Sequence, residues 1–68
     1  MNMTSVSSSN LASVGYQNGV LYIRFHSGGL YSYFDVNESV YQDLLNAPSK
    51  GKFFYRNIRR AYSYQKIG

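Results

Sequence analysis

The stretch LASVGYQNGVLYIRFHSGGLYSYFDV, residues 11–36, decides the fold. Its apolar and polar residues alternate in three runs, separated by Asn18-Gly19 and by the pair Gly28-Gly29. Alternation with period two marks a strand that buries one face. Asn-Gly between two such runs is a strong hairpin signal, because both central residues of a type I′ turn need positive φ. That turn sets a register in which Tyr16 faces Leu21, Val14 faces Ile23 and Ala12 faces Phe25. All six side chains are apolar or aromatic and share one face, which leaves Tyr22, Arg24 and His26 on the other. Gly15, inside the first run, marks a bulge or a close backbone approach.

The second hairpin admits two registers. A two-residue turn at Ser27-Gly28 pairs Phe25 with Leu30 and turns Leu30, Ser32 and Phe34 toward the core. A three-residue loop ending on Gly29, with a glycine bulge, pairs Phe25 with Tyr31 and Ile23 with Tyr33. One residue of slip exchanges the two sets. In the first register Tyr31 and Tyr33 stand outside with Tyr22 and Arg24 as an aromatic platform; in the second they lie on the helix-covered face. The bulged loop is the preferred reading.

Beyond the sheet, NESVYQDLLNAP reads as a short helix with Val40, Tyr41, Leu44 and Leu45 as its apolar stripe. Asp35 and Glu38, three apart, resemble a capping box, with Asn37 as an alternative cap; Ala47-Pro48 ends the helix. Ser49 caps a second helix over KGKFFYRNIRRAY, whose apolar side holds Phe53, Phe54, Asn57, Ile58 and Ala61. Lys52, Arg56, Arg59 and Arg60 share the opposite arc. The expected fold is α+β, a three-stranded antiparallel β-meander followed by two helices packed on one sheet face. Residues 1–68 are expected to form a single small domain, with a disordered N-terminus at 1–6 and a frayed tail at 65–68 or a short extra strand in SYQKIG.

With 68 residues the chain buries only about 60% of its unfolded surface. It has no cysteine, so neither a disulfide nor a thiolate zinc site reinforces it. Dense packing, for which the 18% aromatic content is suited, and homo-oligomerisation are the remaining supports. No segment approaches the ~18 apolar residues of a membrane span. MNMTSVSSSN lacks a basic region followed by an apolar run, so it does not read as a signal peptide, and a soluble cytoplasmic protein is expected.

The net charge of +4 conceals a split. Arg24 against Asp35, Glu38 and Asp43 leaves −2 over residues 1–47, whereas Lys50, Lys52, Arg56, Arg59, Arg60 and Lys66 make +6 over residues 48–68. A basic end on a near-neutral body points to an anionic partner, set against the plainer reading of a solvated face. One histidine and three acids leave little material for catalysis. His26 and Ser27 are neighbours that alternate sides of a strand, and no orienting acid is apparent, so no catalytic residue, metal ligand or cofactor is expected. Lys50, Lys52, Arg56, Arg59 and Arg60 are the candidate phosphate contacts, with arginine forks for phosphate oxygens. Tyr22, Arg24, Tyr31 and Tyr33 are candidates for base stacking or for a partner interface.

The order S-S-N-L, V-G-Y, G-x-x-Y-x-Y, V-Y-x-x-L-L-x-A, S-x-G-x-F-F and I-R, here Ser8 to Leu11, Val14 to Tyr16, Gly28 with Tyr31 and Tyr33, Val40 to Ala47, Ser49 to Phe54 and Ile58-Arg59, resembles the KTSC domain family. That family is named for its occurrence at the C-terminus of some lysyl-tRNA synthetases and also occurs alone in short bacterial and phage proteins. The resemblance implies no assigned enzymatic activity, and the synthetase context points to RNA. Its central Y-x-Y falls on Tyr31 and Tyr33, while Asn37 stands where typical members have proline. The expected function is a non-enzymatic binding module for RNA or another phosphate-bearing ligand. The alternatives are a protein-interaction module and, third, sequestration of a phosphorylated nucleotide.

Overall fold

A computed structural model describes residues 2–68. Five strands, β1 (Thr4–Ser5), β2 (Leu11–Gln17), β3 (Val20–Phe25), β4 (Leu30–Tyr33) and β5 (Tyr64–Lys66), form one antiparallel sheet in the order β1-β2-β3-β4-β5. Helices α1 (Glu38–Asn46) and α2 (Lys50–Asn57) fall between β4 and β5. The α+β class and the paired helices agree with the expectation, but five strands replace the expected three.

The two additional strands are edges too short to show alternation. Thr4 pairs with Val14 and Ser5 with Ser13, within the segment 1–6 for which disorder is expected; that expectation as it concerns Met1 lies outside the described residues. At the other edge Tyr64 pairs with Tyr33, Gln65 with Ser32 and Lys66 with Tyr31, and the Gly68 amide donates to the Leu30 carbonyl at 3.2 Å. Residues 64–66 thus form the short extra strand, one of the two alternatives for SYQKIG, with residues 67–68 beyond it. Short edges of this kind expose few unpaired amides.

In the β2–β3 hairpin, Tyr16 faces Leu21 and Val14 faces Ile23, and Asn18 and Gly19 take φ of 52° and 82°. The pairing of Ala12 with Phe25 is corrected. The register shifts between Leu11 and Ser13, so Leu11 faces Phe25 and enters the core. A bulge inserts one unpaired residue, and so changes which neighbour points inward. Gly15 is not the bulge but a close approach: a Cβ there would lie 2.6 Å from the Asn2 carbonyl oxygen.

The β3–β4 loop is neither of the two expected. His26, Ser27 and Gly28 form it; the Phe25 amide donates to the Gly29 carbonyl and the Gly28 amide to the Phe25 carbonyl, both at 2.9 Å. Ile23 therefore pairs with Tyr31 and Leu21 with Tyr33. This register lies two residues from the bulged expectation, a step that keeps every side chain on the same face. Gly28, at φ 111°, supplies the left-handed residue that the loop needs.

The helical layer covers the face carrying Leu11, Val14, Leu21, Ile23 and Tyr33, and adds Leu44, Phe54 and Ile58 to one core. Burying each large aliphatic side chain contributes about 1.5–3 kcal/mol. The Tyr16 hydroxyl donates to the Val36 carbonyl at 2.5 Å, and its ring stacks on Tyr41 at 5.4 Å, which ties β2 to the entry of α1. Asn37 occupies the N-cap of α1 without a side-chain hydrogen bond, and Asp35, with φ 59°, lies outside the helix. Ser49 caps α2 by accepting from the Lys52 amide at 3.3 Å.

Helix α2 is shorter than expected. The Ile58 and Arg59 amides both donate to the Phe54 carbonyl at 2.9 Å, a widened turn that ends the helix. It carries Ile58 into the core, while Asn57 and Ala61, expected on the apolar side, are exposed. Arg59 and Arg60 therefore sit in a turn, not on a helical face.

Candidate functional site

The ends of β4 and β5 and the turn after α2 enclose an open cleft of about 580 Å³. Cross-strand pairing builds one wall. Tyr64 lies opposite Tyr33, so both rings project on the same side, with centroids 5.7 Å apart, and Tyr31 approaches Tyr64 at 6.0 Å. The other wall holds Tyr55, Arg59, Arg60 and Tyr62. Phe54 joins the two, with its ring centroid 5.5 Å from Tyr33, 5.3 Å from Phe25 and 5.8 Å from Tyr55. Ser27 forms the lip at the β3–β4 loop. Five of the eight tyrosines line this one depression.

Gly29 makes room for the arrangement. A Cβ there would meet the Tyr31 ring at 2.8 Å, so the ring lies back over a residue without a side chain. The two glycines of the loop thus act differently: Gly28 supplies a backbone conformation and Gly29 supplies space.

The electrostatics are those of neutral aromatic walls with a cationic rim. Burial pushes the Tyr33 hydroxyl up to about 12; the Tyr31 and Tyr64 phenols add to the rise and Arg59 opposes it. Tyr33 therefore remains a neutral phenol at physiological pH. The guanidinium carbon of Arg59 lies 5.2 Å from the centroid of the Tyr55 ring, a cation–π pair that holds the arginine at the cleft while leaving N–H donors for an anion. Tyr55 and Tyr64 are 54% and 59% exposed, so aromatic surface on both walls is presented to solvent.

The candidate residues named from the sequence separate into four places. Arg59, Arg60, Tyr31 and Tyr33 meet in the cleft. Lys52 and Arg56 line a different hollow of about 360 Å³ beside Pro48 and Phe53 at the corner between the helices. The Lys50 Nζ donates to the Ala47 carbonyl at 3.2 Å and closes the end of α1. Tyr22 and Arg24 pair with Ser32 and Leu30, one residue out of phase with Tyr31 and Tyr33, and so occupy the opposite sheet face. The tight-turn alternative, with Tyr22, Arg24, Tyr31 and Tyr33 on one platform, is thereby set aside in favour of the preferred placement of Tyr31 and Tyr33 on the helix-covered face. The continuous basic stripe from Lys52 to Arg60 is corrected.

Sequence reasoning missed Tyr55, Tyr62 and Tyr64. Their signal was present: Tyr62-Ser63-Tyr64 repeats the Y-S-Y of Tyr31-Ser32-Tyr33, and arginines are interleaved among the aromatics from residue 53 onward.

The region around Ser8 braces the far side of the loop. Ser8 Oγ accepts from the Asn10 and Leu11 amides at 3.2 Å, and the Ser8 carbonyl lies 2.9 Å from His26 Nε2. The Asn10 side chain packs on Gly51, where a Cβ would lie 3.0 Å from its Nδ2. These contacts give the S-S-N-L and S-x-G-x-F-F elements a common structural purpose, since they fasten α2 to the start of β2.

A small α+β domain with an aromatic cleft edged by arginine is the class that the fold and site define. The KTSC domain family profile matches residues 7–62, and the chain belongs to that family. It is similar to the crystal structure of a KTSC domain protein from Yersinia pestis, with a TM-score of 0.96 and 39% identity over 98% of this chain and 97% of that one. A lysine–tRNA ligase of Nostoc punctiforme is 45% identical over 47 residues, which are 69% of this chain and 8% of the ligase. An uncharacterised protein of Stutzerimonas stutzeri is 37% identical over 70 residues, 98% of this chain and 99% of that protein. Among the described residues no helix is long and apolar enough to cross a membrane.

Proposed function

We propose that this chain is a non-enzymatic RNA-binding module whose contact surface is the cleft between β4, β5 and the turn after α2. The observation that carries the proposal is the convergence of exposed aromatic rings, Tyr55 and Tyr64, with Arg59 and Arg60 in one depression. Base faces stack on such rings, and guanidinium forks bind phosphate oxygens. Two other facts support it. Positive charge is concentrated in residues 48–68, and the domain recurs within ligases whose name places them on a tRNA. Lys52 and Arg56, in their separate hollow, extend the cationic surface for neighbouring phosphates.

The test is a binding titration with RNA over a range of salt, for the wild type and for Arg59→Glu with Arg60→Glu. A linear fall of log affinity with log salt, and a large loss in the double variant, are expected. Unchanged affinity in the double variant overturns the proposal. Capture of a protein that survives nuclease and moderate salt, with no RNA bound, would assign the same tyrosines to a protein interface instead.

A further inference from the structure

Resting on the RNA-binding reading, the geometry points to single-stranded RNA as the ligand, with one unpaired base inserted in the cleft and its phosphate held by Arg59 and Arg60. The cleft volume of about 580 Å³ falls within the range of pockets that enclose a small ligand, and is suited to one nucleotide rather than to the side of a helix. Its walls are ring faces and edges, which a base reaches only when it is out of a duplex stack. Tyr55 and Tyr64, each more than half exposed, face this space from opposite walls and provide stacking surfaces that need no rearrangement of the core. Arg59 is already held against Tyr55, so its fork is positioned beside the base site and not elsewhere on the surface.

Paired bases cannot enter the cleft, and a duplex meets only the cationic rim. Contact with duplex is then electrostatic and weak at physiological salt.

The experiment compares a labelled single-stranded oligoribonucleotide with a blunt hairpin of the same phosphate count whose stem is closed by a non-nucleotide linker, so that every base is paired, by fluorescence anisotropy at about 50 mM and about 200 mM salt. The single strand is expected to bind at least about tenfold more tightly at the higher salt. Tyr64→Ala and Tyr55→Ala, both at exposed positions, are expected to weaken single-strand binding about tenfold each and to leave hairpin binding unchanged. Circular dichroism of each variant confirms that the fold is retained. Equal affinity for strand and hairpin, or no effect of either tyrosine, overturns the single-strand inference and leaves RNA binding in place. Absence of binding to both ligands overturns RNA binding itself.

Discussion

Tyr33 and Tyr64 face each other across the last two strands of the sheet, with ring centroids 5.7 Å apart. One of them closes the core and is 4% exposed; the other stands at the mouth of the cleft and is 59% exposed. This pair joins the stability of the fold to its candidate binding surface, because the strand that carries Tyr64 is itself held by pairing with β4.

Tyr33 gives the domain an alkaline limit. Its folded-state value of about 12 stands above the ordinary 10.0. Between those values the unfolded chain has released a proton that the native state keeps, so unfolding becomes easier as pH rises through the window. The loss is expected to be about 1–3 kcal/mol. Denaturant unfolding at a series of alkaline pH values should show this slope in the wild type and a shallower one in Tyr33→Phe. Identical slopes would remove Tyr33 as the cause.

The two loop glycines should fail in different ways. Gly28→Ala places a side chain at φ 111° and is expected to cost about 1 kcal/mol or more of stability, while the folded fraction keeps its RNA affinity. Gly29→Ala meets the Tyr31 ring, which can swing aside, so stability should change little and single-strand affinity should drop several-fold. Thermal unfolding and anisotropy, run on both variants, separate the two roles.

The basic residues should divide by location. Arg59 and Arg60 are the phosphate contacts proposed beside the cleft tyrosines, so charge reversal there should abolish single-strand binding at physiological salt. Lys52→Glu with Arg56→Glu, in the separate hollow, should lower affinity moderately and reduce the salt slope by roughly 0.7 for each phosphate no longer neutralised. Matching losses from both pairs would mean a diffuse electrostatic surface rather than a site.

Ser49→Ala removes the hydroxyl that accepts from the Lys52 amide and should cost about 1 kcal/mol of stability. Because α2 supplies Phe54 and Tyr55 to the cleft walls, the same change tests how far binding depends on the start of that helix. A stability loss with unchanged RNA affinity is the expected result.

The central hairpin was legible because Asn18-Gly19 and the flanking alternation agree on one register. Which face Tyr31 and Tyr33 take was not legible, since the two registers differ by one residue and put the pair on opposite faces; the pairing of Ile23 with Tyr31 decides it. The loop itself was not, because HSGG offers two glycines and only the geometry assigns one to the turn and the other to the Tyr31 ring. Residues 4–5 and 64–66 are too short to show a period, and they become strands only by pairing with partners distant in sequence. The site was half legible. Arg59 and Arg60 stood out by charge, but the continuous helical stripe assumed for them breaks where Phe54 accepts two amides. Tyr64 meets Tyr31 and Tyr33 through that return strand, so no local pattern brought the cleft together.

Mapping of backbone and aromatic chemical shifts during titration with a single-stranded oligoribonucleotide tests the cleft most directly. Perturbations are expected at Tyr31, Tyr33, Tyr55, Arg59, Arg60 and Tyr64, with Tyr22 and Arg24 on the opposite sheet face unmoved. Perturbations centred on Tyr22 and Arg24, or spread evenly over the basic residues with the cleft tyrosines silent, would contradict it.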